Sequence, residues 1–200
     1  GLPYIGFLAP GIIGMIILFT SIFSGISVIY DRQFGFMKEI LVAPVSRSSI
    51  VLGKTFGGAT IATINGLIVL GISSALGFIE FGIGTFIAIP FMVLIAISFV
   101  AMGLIIASRM KSMEGFQMIM SFLVMPIFLL SGALFPLNNV PDAMRVISYL
   151  DPLSYGIDGI RGSLVGITNT GLIIDFLVLL GISICLISIG TLMFKKSTQL

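Results

Sequence analysis

The chain has no histidine, a single cysteine and few charges: 10 Lys and Arg and 8 Asp and Glu in 200 residues. Without histidine there is no imidazole for acid–base work or for the commonest kind of metal ligation. Cys185 alone cannot close a disulfide within the chain, so the redox compartment is left open. Only 9% of the residues are charged, whereas a water-facing domain carries roughly 25%. A net charge of +2 gives no basis for binding nucleic acid.

What fills the chain instead is apolar, with 58% hydrophobic residues. Apolar runs of about 20 residues recur, the length a helix needs to cross a hydrocarbon core ~30 Å thick. A membrane β-barrel would show alternating segments of about 10 residues, which these runs are not. The sequence therefore predicts an all-α, polytopic membrane protein embedded in the lipid bilayer and forming one domain over 1–200. Its spans are expected at 5–29, 51–78, 83–107, 116–134 and 171–194. The chain starts at Gly1, with no basic stretch ahead of its first apolar run, so it reads as lacking a signal peptide.

The longest polar interruption is 30–54, YDRQFGFMKEILVAPVSRSSIVLGK, which holds Asp31, Arg32, Lys38, Glu39, Arg47 and Lys54, a third of all the charged residues. Phe34, Met37 and Leu41 fall at i, i+3, i+7, with Phe36 and Ile40 beside them and Arg32, Gln33, Lys38 and Glu39 between. This pattern predicts a short amphipathic helix over 31–42 that stops ahead of Pro44, with Ser46 and Ser48 free to cap the next helix. Such a helix fits a groove on a partner protein or a bed of lipid headgroups, and the pattern alone does not choose. Lys and Arg are concentrated in this loop, in the 108–115 loop and at Lys195 and Lys196, which places this loop and the C-terminus in the cytoplasm.

Inside the spans, Thr20, Ser21, Ser24 and Ser27 form a small polar stripe, and Gly53 and Gly57 form a small-xxx-small pair suited to close helix packing. Between the fourth and fifth spans, residues 135–170 are mixed in character, and Pro141 and Pro152 each suit the first turn of a short helix. Two helices at 141–149 and 152–165 are expected to lie at the interface or dip in and return. On the second, Tyr155, Asp158 and Arg161 share a face, and Asp158 and Arg161 are spaced to pair at i, i+3. Asp175 falls about one turn into the last span, where it is expected to reach water or headgroups, a proton relay being the alternative. No paired carboxylates and no Ser–Lys arrangement stand within a span, so the chain is not expected to be an enzyme.

The tetrapeptide LGKT at 52–55 ends like a phosphate-binding loop, but Ser48 stands where that motif needs glycine and no strand precedes it. No nucleotide, metal or other cofactor site is therefore expected on this chain. Two longer stretches carry more. YDRQFGFMKEILVAPVSR followed by GK, and then SGALFPLNNVP with LDPLSYGIDGIR, resemble the permeases of type-2 ATP-binding-cassette (ABC) exporters. The texture is nearest to the daunorubicin-resistance (multidrug) and nodulation-export types. The two stretches and the spans between them cover nearly the whole chain. Gln33 and Phe36 depart from the acidic residue and threonine frequent in the family.

The resemblance implies a six-span subunit of which the first span is missing here. It implies that the 31–42 helix is a coupling helix docking on a separate cytoplasmic ABC ATPase, where ATP and Mg bind. The coupling residues would be Arg32, Phe34, Gly35, Phe36, Met37, Lys38, Glu39, Leu41, Pro44 and Arg47. It implies a re-entrant outer gate that includes Gly132, Phe135, Pro136, Pro152, Tyr155, Asp158 and Arg161. It further implies a second permease copy, a homodimer or a close paralogue, and export of an amphiphilic, drug-like or lipid-linked substrate across the plasma membrane. An ion-coupled secondary transporter and a non-transporting membrane scaffold remain as alternatives.

Overall fold

The computed structural model describes residues 4–36, 46–110, 112–135 and 141–197. Among these there are eight helices and no strand: α1 Tyr4–Ser24, α2 Ile26–Gln33, α3 Arg47–Ala75, α4 Ile83–Arg109, α5 Met113–Leu130, α6 Asp142–Ser148, α7 Pro152–Val165 and α8 Leu172–Ser197. Five helical stretches are long and apolar enough to cross a membrane, α1 and α2 counting together as Tyr4–Gln33.

The bundle is arranged around α4, which packs on α1, α3, α7 and α8. Its sequence has no charged residue before Arg109, so it can be buried on nearly every side. Met92, Ile95 and Phe99 are fully buried on it, in one apolar cluster with Ile13, Ile17 and Ile22 of α1. On the α8 side, the rings of Phe91 and Phe176 meet edge to face with centroids 6.0 Å apart, and the hydroxyls of Ser98 and Ser183 lie 2.8 Å from each other. Partnering those hydroxyls removes the cost of carrying them into the core.

Two backbones approach closely at Gly25, where α1 gives way to α2. A Cβ added there would stand 2.6 Å from the Gly103 carbonyl, and one added at Gly103 would stand 2.5 Å from the Ile22 carbonyl oxygen. Only residues without side chains allow this crossing. By contrast, among the described residues nothing lies within 4 Å of a Cβ built at Gly53 or Gly57. The polar stripe of α1 and α2 faces α3: Asn65 Nδ2 donates to Thr20 Oγ1 at 3.4 Å, and Lys54 Nζ to Ser27 Oγ at 3.4 Å.

α6 and α7 fill the connection between α5 and α8, and α7 folds back among α1, α4 and α8. Asp151 caps α7 by accepting from Leu153 N at 2.9 Å, and Pro152 follows in the first turn, where its missing N–H costs nothing.

Candidate functional site

The two polar ends of the bundle are built differently. At the end carrying most of the Lys and Arg, the first crossing does not stop at residue 29. Helix α2 continues to Gln33, so Asp31 and Arg32 form its last turn rather than the start of a separate helix over 31–42. The reason is that both charges find partners there. Asp31 and Lys54 Nζ form an ion pair at 2.5 Å. Arg32 reaches across to α4 and donates to the Ser108 carbonyl at 3.1 Å and the Met110 carbonyl at 3.0 Å. These carbonyls stand at the end of α4, where the helix offers them no partner and where a cation suits the helix dipole.

The break comes two residues later than Gln33. Gly35 has φ +83°, a left-handed conformation that a side chain would strain. Phe34 and Phe36 flank it and are 69% and 56% exposed. The Phe34 ring stacks on Tyr30 with centroids 5.9 Å apart. Met37, Lys38, Glu39, Leu41 and Pro44 lie outside the described residues. Arg47 opens α3, which Ser46 caps by accepting from Ser49 N at 3.1 Å, while Ser48 lies within the helix.

At the other end, Asp151, Asp158, Arg161 and Asp175 are buried and each makes hydrogen bonds within the chain, although Asp151 Oδ2, Arg161 Nε and Asp175 Oδ2 have no partner. Asp158 and Arg161 do not pair, although their spacing allows it. Asp158 turns to the loop after α7: its Oδ2 accepts from Asn169 N at 2.8 Å, Thr170 N at 3.1 Å and Thr170 Oγ1 at 3.1 Å, and its Oδ1 from Asn169 Nδ2 at 2.7 Å. Four nearby donors outcompete one side chain on the next turn. Arg161, only 3% exposed, instead donates to the Gly132 carbonyl at 3.0 Å and lies over the Phe7 ring, 3.8 Å from its centroid. It thereby ties α7 to the end of α5 and to α1, an aromatic face replacing part of the hydration the cation has lost.

Tyr155 donates to the Tyr149 carbonyl at 2.8 Å, and Ser148 to the Leu130 carbonyl at 2.5 Å, so α6 is fastened to both neighbours. Pro152 opens α7, Phe135 is exposed, and Pro136 lies outside the described residues. Burial pushes the Asp151 carboxyl up to about 7, against a smaller opposing effect of its bond from Leu153 N.

Asp175 is the largest departure from expectation. It reaches neither water nor headgroups, being fully buried, and its Oδ1 is bonded by Thr170 Oγ1. Asp158 and Asp175 are thus both brought within reach of one hydroxyl and of each other's influence, a carboxyl pair that 17 positions of sequence separation conceal. Phe7, Asn169 and Thr170 were not singled out from the sequence. An Asn-Thr pair just ahead of a helix is a turn and cap signal, but the identity of its acceptor depends on how α7 folds back.

Five crossing-length helices, the central one buried among the others, braced by charge at one end and closed by a folded-back helix at the other, define a multi-pass membrane protein. Comparison with known proteins makes the class specific. The family model described as ABC-2 type transporter matches residues 2–165. Nodulation protein J of Rhizobium meliloti (strain 1021) is 29% identical over 168 residues, which is 83% of this chain and 64% of that protein. Inner membrane transport permease YadH of Escherichia coli (strain K12) is 29% identical over 181 residues, 90% of this chain and 70% of that protein. Nodulation protein J of Sinorhizobium fredii (strain NBRC 101917 / NGR234) is 26% identical over 167 residues, 82% of this chain and 63% of that protein. The chain belongs to the ABC-2 type transporter family. It spans slightly less than two thirds of the length of the nodulation proteins it matches.

Proposed function

We propose that the chain is the permease part of an ATP-driven exporter in the plasma membrane, with its C-terminus in the cytoplasm. It would move an amphiphilic, drug-like or lipid-linked substrate outward and would be driven by a separate ABC ATPase that binds ATP and Mg. One chain supplies one coupling segment and one side of a pathway, so a second copy or a close paralogue completes it. Hydrolysis belongs to the partner; the permease contributes shape and movement.

The observation that supports this reading is the construction of the foot of α2. Two exposed phenylalanines, Phe34 and Phe36, stand directly beyond a helix end fixed to α3 by Asp31–Lys54 and to α4 by Arg32. Apolar anchors outside a rigid support suit a groove on a partner. Because Arg32 is bonded to α4, a push received at Phe34 is delivered to the central helix rather than dissipated in a loop. Arg32 is therefore assigned to transmission within the permease, and contact with the ATPase is left to Phe34, Phe36 and the segment that follows, Lys38 and Glu39 supplying the charges that fix register.

The test is copurification with the ATPase, followed by transport in reconstituted vesicles. Gly35→Trp and Glu39→Arg are expected to abolish transport and ATPase binding while membrane insertion stays normal. Normal export by both variants, or full transport by the permease without an ATPase, would sink the reading.

A further inference from the structure

Thr170 Oγ1 stands between two carboxyl groups, 3.1 Å from Asp158 Oδ2 on one side and bonded to Asp175 Oδ1 on the other. A hydroxyl has one hydrogen to give. Asp158 already acts as an acceptor on both oxygens, toward Asn169 N, Asn169 Nδ2 and Thr170 N. With the Thr170 hydrogen directed to Asp158, its contact with Asp175 is a hydrogen bond only if Asp175 brings a hydrogen of its own. With the Thr170 hydrogen directed to Asp175, two bare oxygens of Thr170 and Asp158 face each other. The second oxygen of Asp175, Oδ2, is buried with no hydrogen-bond partner. An unpartnered oxygen in such a place is far cheaper on a neutral carboxyl than on a charged one.

We propose that Asp175 is a proton-binding site and that its proton holds the outer loop closed through a chain running from Asp175 to the Thr170 hydroxyl to the Asp158 carboxylate. The chain pins the 166–171 connection between α7 and α8 to the buried face of α7. When the proton leaves for solvent, two carboxylates share one hydroxyl hydrogen and repel across it. One of the two bonds at Thr170 is lost, and the Asn169–Thr170 turn loosens from Asp158.

Among the described residues no cation forms an ion pair or hydrogen bond with Asp175, and Arg161 acts on Asp158 only at a distance. The titratable groups whose charge reaches Asp175 are Asp158 and Tyr155, both on α7. Arg161 is committed to the Gly132 carbonyl and the Phe7 ring. The charged residues of α4 (Arg109), of α3 (Arg47 and Lys54) and of α8 beyond Asp175 (Lys195 and Lys196) all lie at the opposite end of their helices. A cavity of about 10 Å³, lined by Tyr149, Ser154, Tyr155, Asp158, Asn169 and Thr170, has room for one water beside the hydroxyl. A proton entering there reaches Asp175 by way of Thr170.

The test uses the full chain in lipid nanodiscs and needs no transport. Infrared difference spectra at neutral pH are expected to show the carbonyl stretch of a protonated carboxyl that Asp175→Asn removes. In Thr170→Val that band is expected to stay but to shift, since its hydrogen-bond acceptor is gone. By amide exchange, protection at Thr170 is expected to fall about tenfold or more from neutral to alkaline pH in the wild type, relative to Asp175→Asn, which carries a permanent donor. Spectra of wild type and Asp175→Asn that coincide in the carboxyl region would overturn the proposal. So would a band unmoved by Thr170→Val, or Thr170 protection that follows one pH course in wild type and Asp175→Asn.

Discussion

The two ends of the bundle handle their polar groups in opposite ways. At the end around α7, Asp151, Asp158, Arg161 and Asp175 are buried, and each makes hydrogen bonds inside the chain. At the other end, Asp31, Arg32 and Lys54 are only partly covered, and large apolar side chains stand in the open beside them. A buried carboxyl or guanidinium is expensive to disturb because a broken bond leaves it with little water to turn to. A half-exposed brace is cheap to disturb because water replaces each lost bond. The end around α7 is thus built for persistence, and the other, on the proposed reading, for contact that is made and released.

That contrast can be broken by mutations that exchange the two behaviours. The largest effect is expected from Asp158→Ala, which removes the acceptor of Asn169 N, Asn169 Nδ2 and Thr170 N and should cost about 2–3 kcal/mol. Thermal unfolding in detergent and new proteolysis between residues 166 and 171 would register it. Arg32→Ala removes two bonds from a charged donor in a partly exposed place and should cost only about 1–2 kcal/mol. Its transport, however, should fall far more than its stability, as seen by comparing vesicle uptake with melting temperature. An Arg32→Ala protein that unfolds more readily than Asp158→Ala would erase the distinction between the ends.

A pH series sharpens the same comparison. The Asp151 carboxyl sits at about 7 in the folded protein and near 3.8 when exposed. As pH falls from 8 toward 5, the folded chain takes up a proton that the unfolded chain does not. Stability should therefore rise on acidification, by at most about 1.4 kcal/mol per pH unit from this group. Asp151→Asn, which still offers an oxygen to Leu153 N, should flatten that part of the slope in denaturation series run at each pH. The smallest effect is expected from Lys54→Met. The Asp31–Lys54 pair is about one-fifth exposed on each side, so its loss should cost about 0.5–1 kcal/mol and shrink further in high salt.

Much of this architecture is legible in the residues. Apolar length alone locates the five crossings, and Pro141 and Pro152 mark the two short helices of the outer segment, found at Asp142–Ser148 and Pro152–Val165. What periodicity cannot show is who answers a charge. Asp31 and Arg32 read as the start of a surface helix because their partners, Lys54 and the carbonyls of Ser108 and Met110, lie on other helices. Asp158 and Arg161 read as a pair because i, i+3 spacing is visible, whereas a loop amide and a phenylalanine ring from α1 are not. Backbone carbonyls carry no sequence signal at all, and they hold both Arg32 and Arg161.

The contact of Gly25 with Gly103 divides α4 unequally. Six residues separate Gly103 from Arg109, about 9 Å of helix, while twenty separate it from Ile83, about 30 Å. With no side chains interposed, the two rods can swivel there as on a rivet. A rigid α4 turning about that point would multiply displacement roughly threefold toward its Ile83 end, so on the proposed reading an ångström gained beside Arg32 would become about three where α4 meets α7. A nudge far smaller than the width of any cargo would then be enough to part the far side.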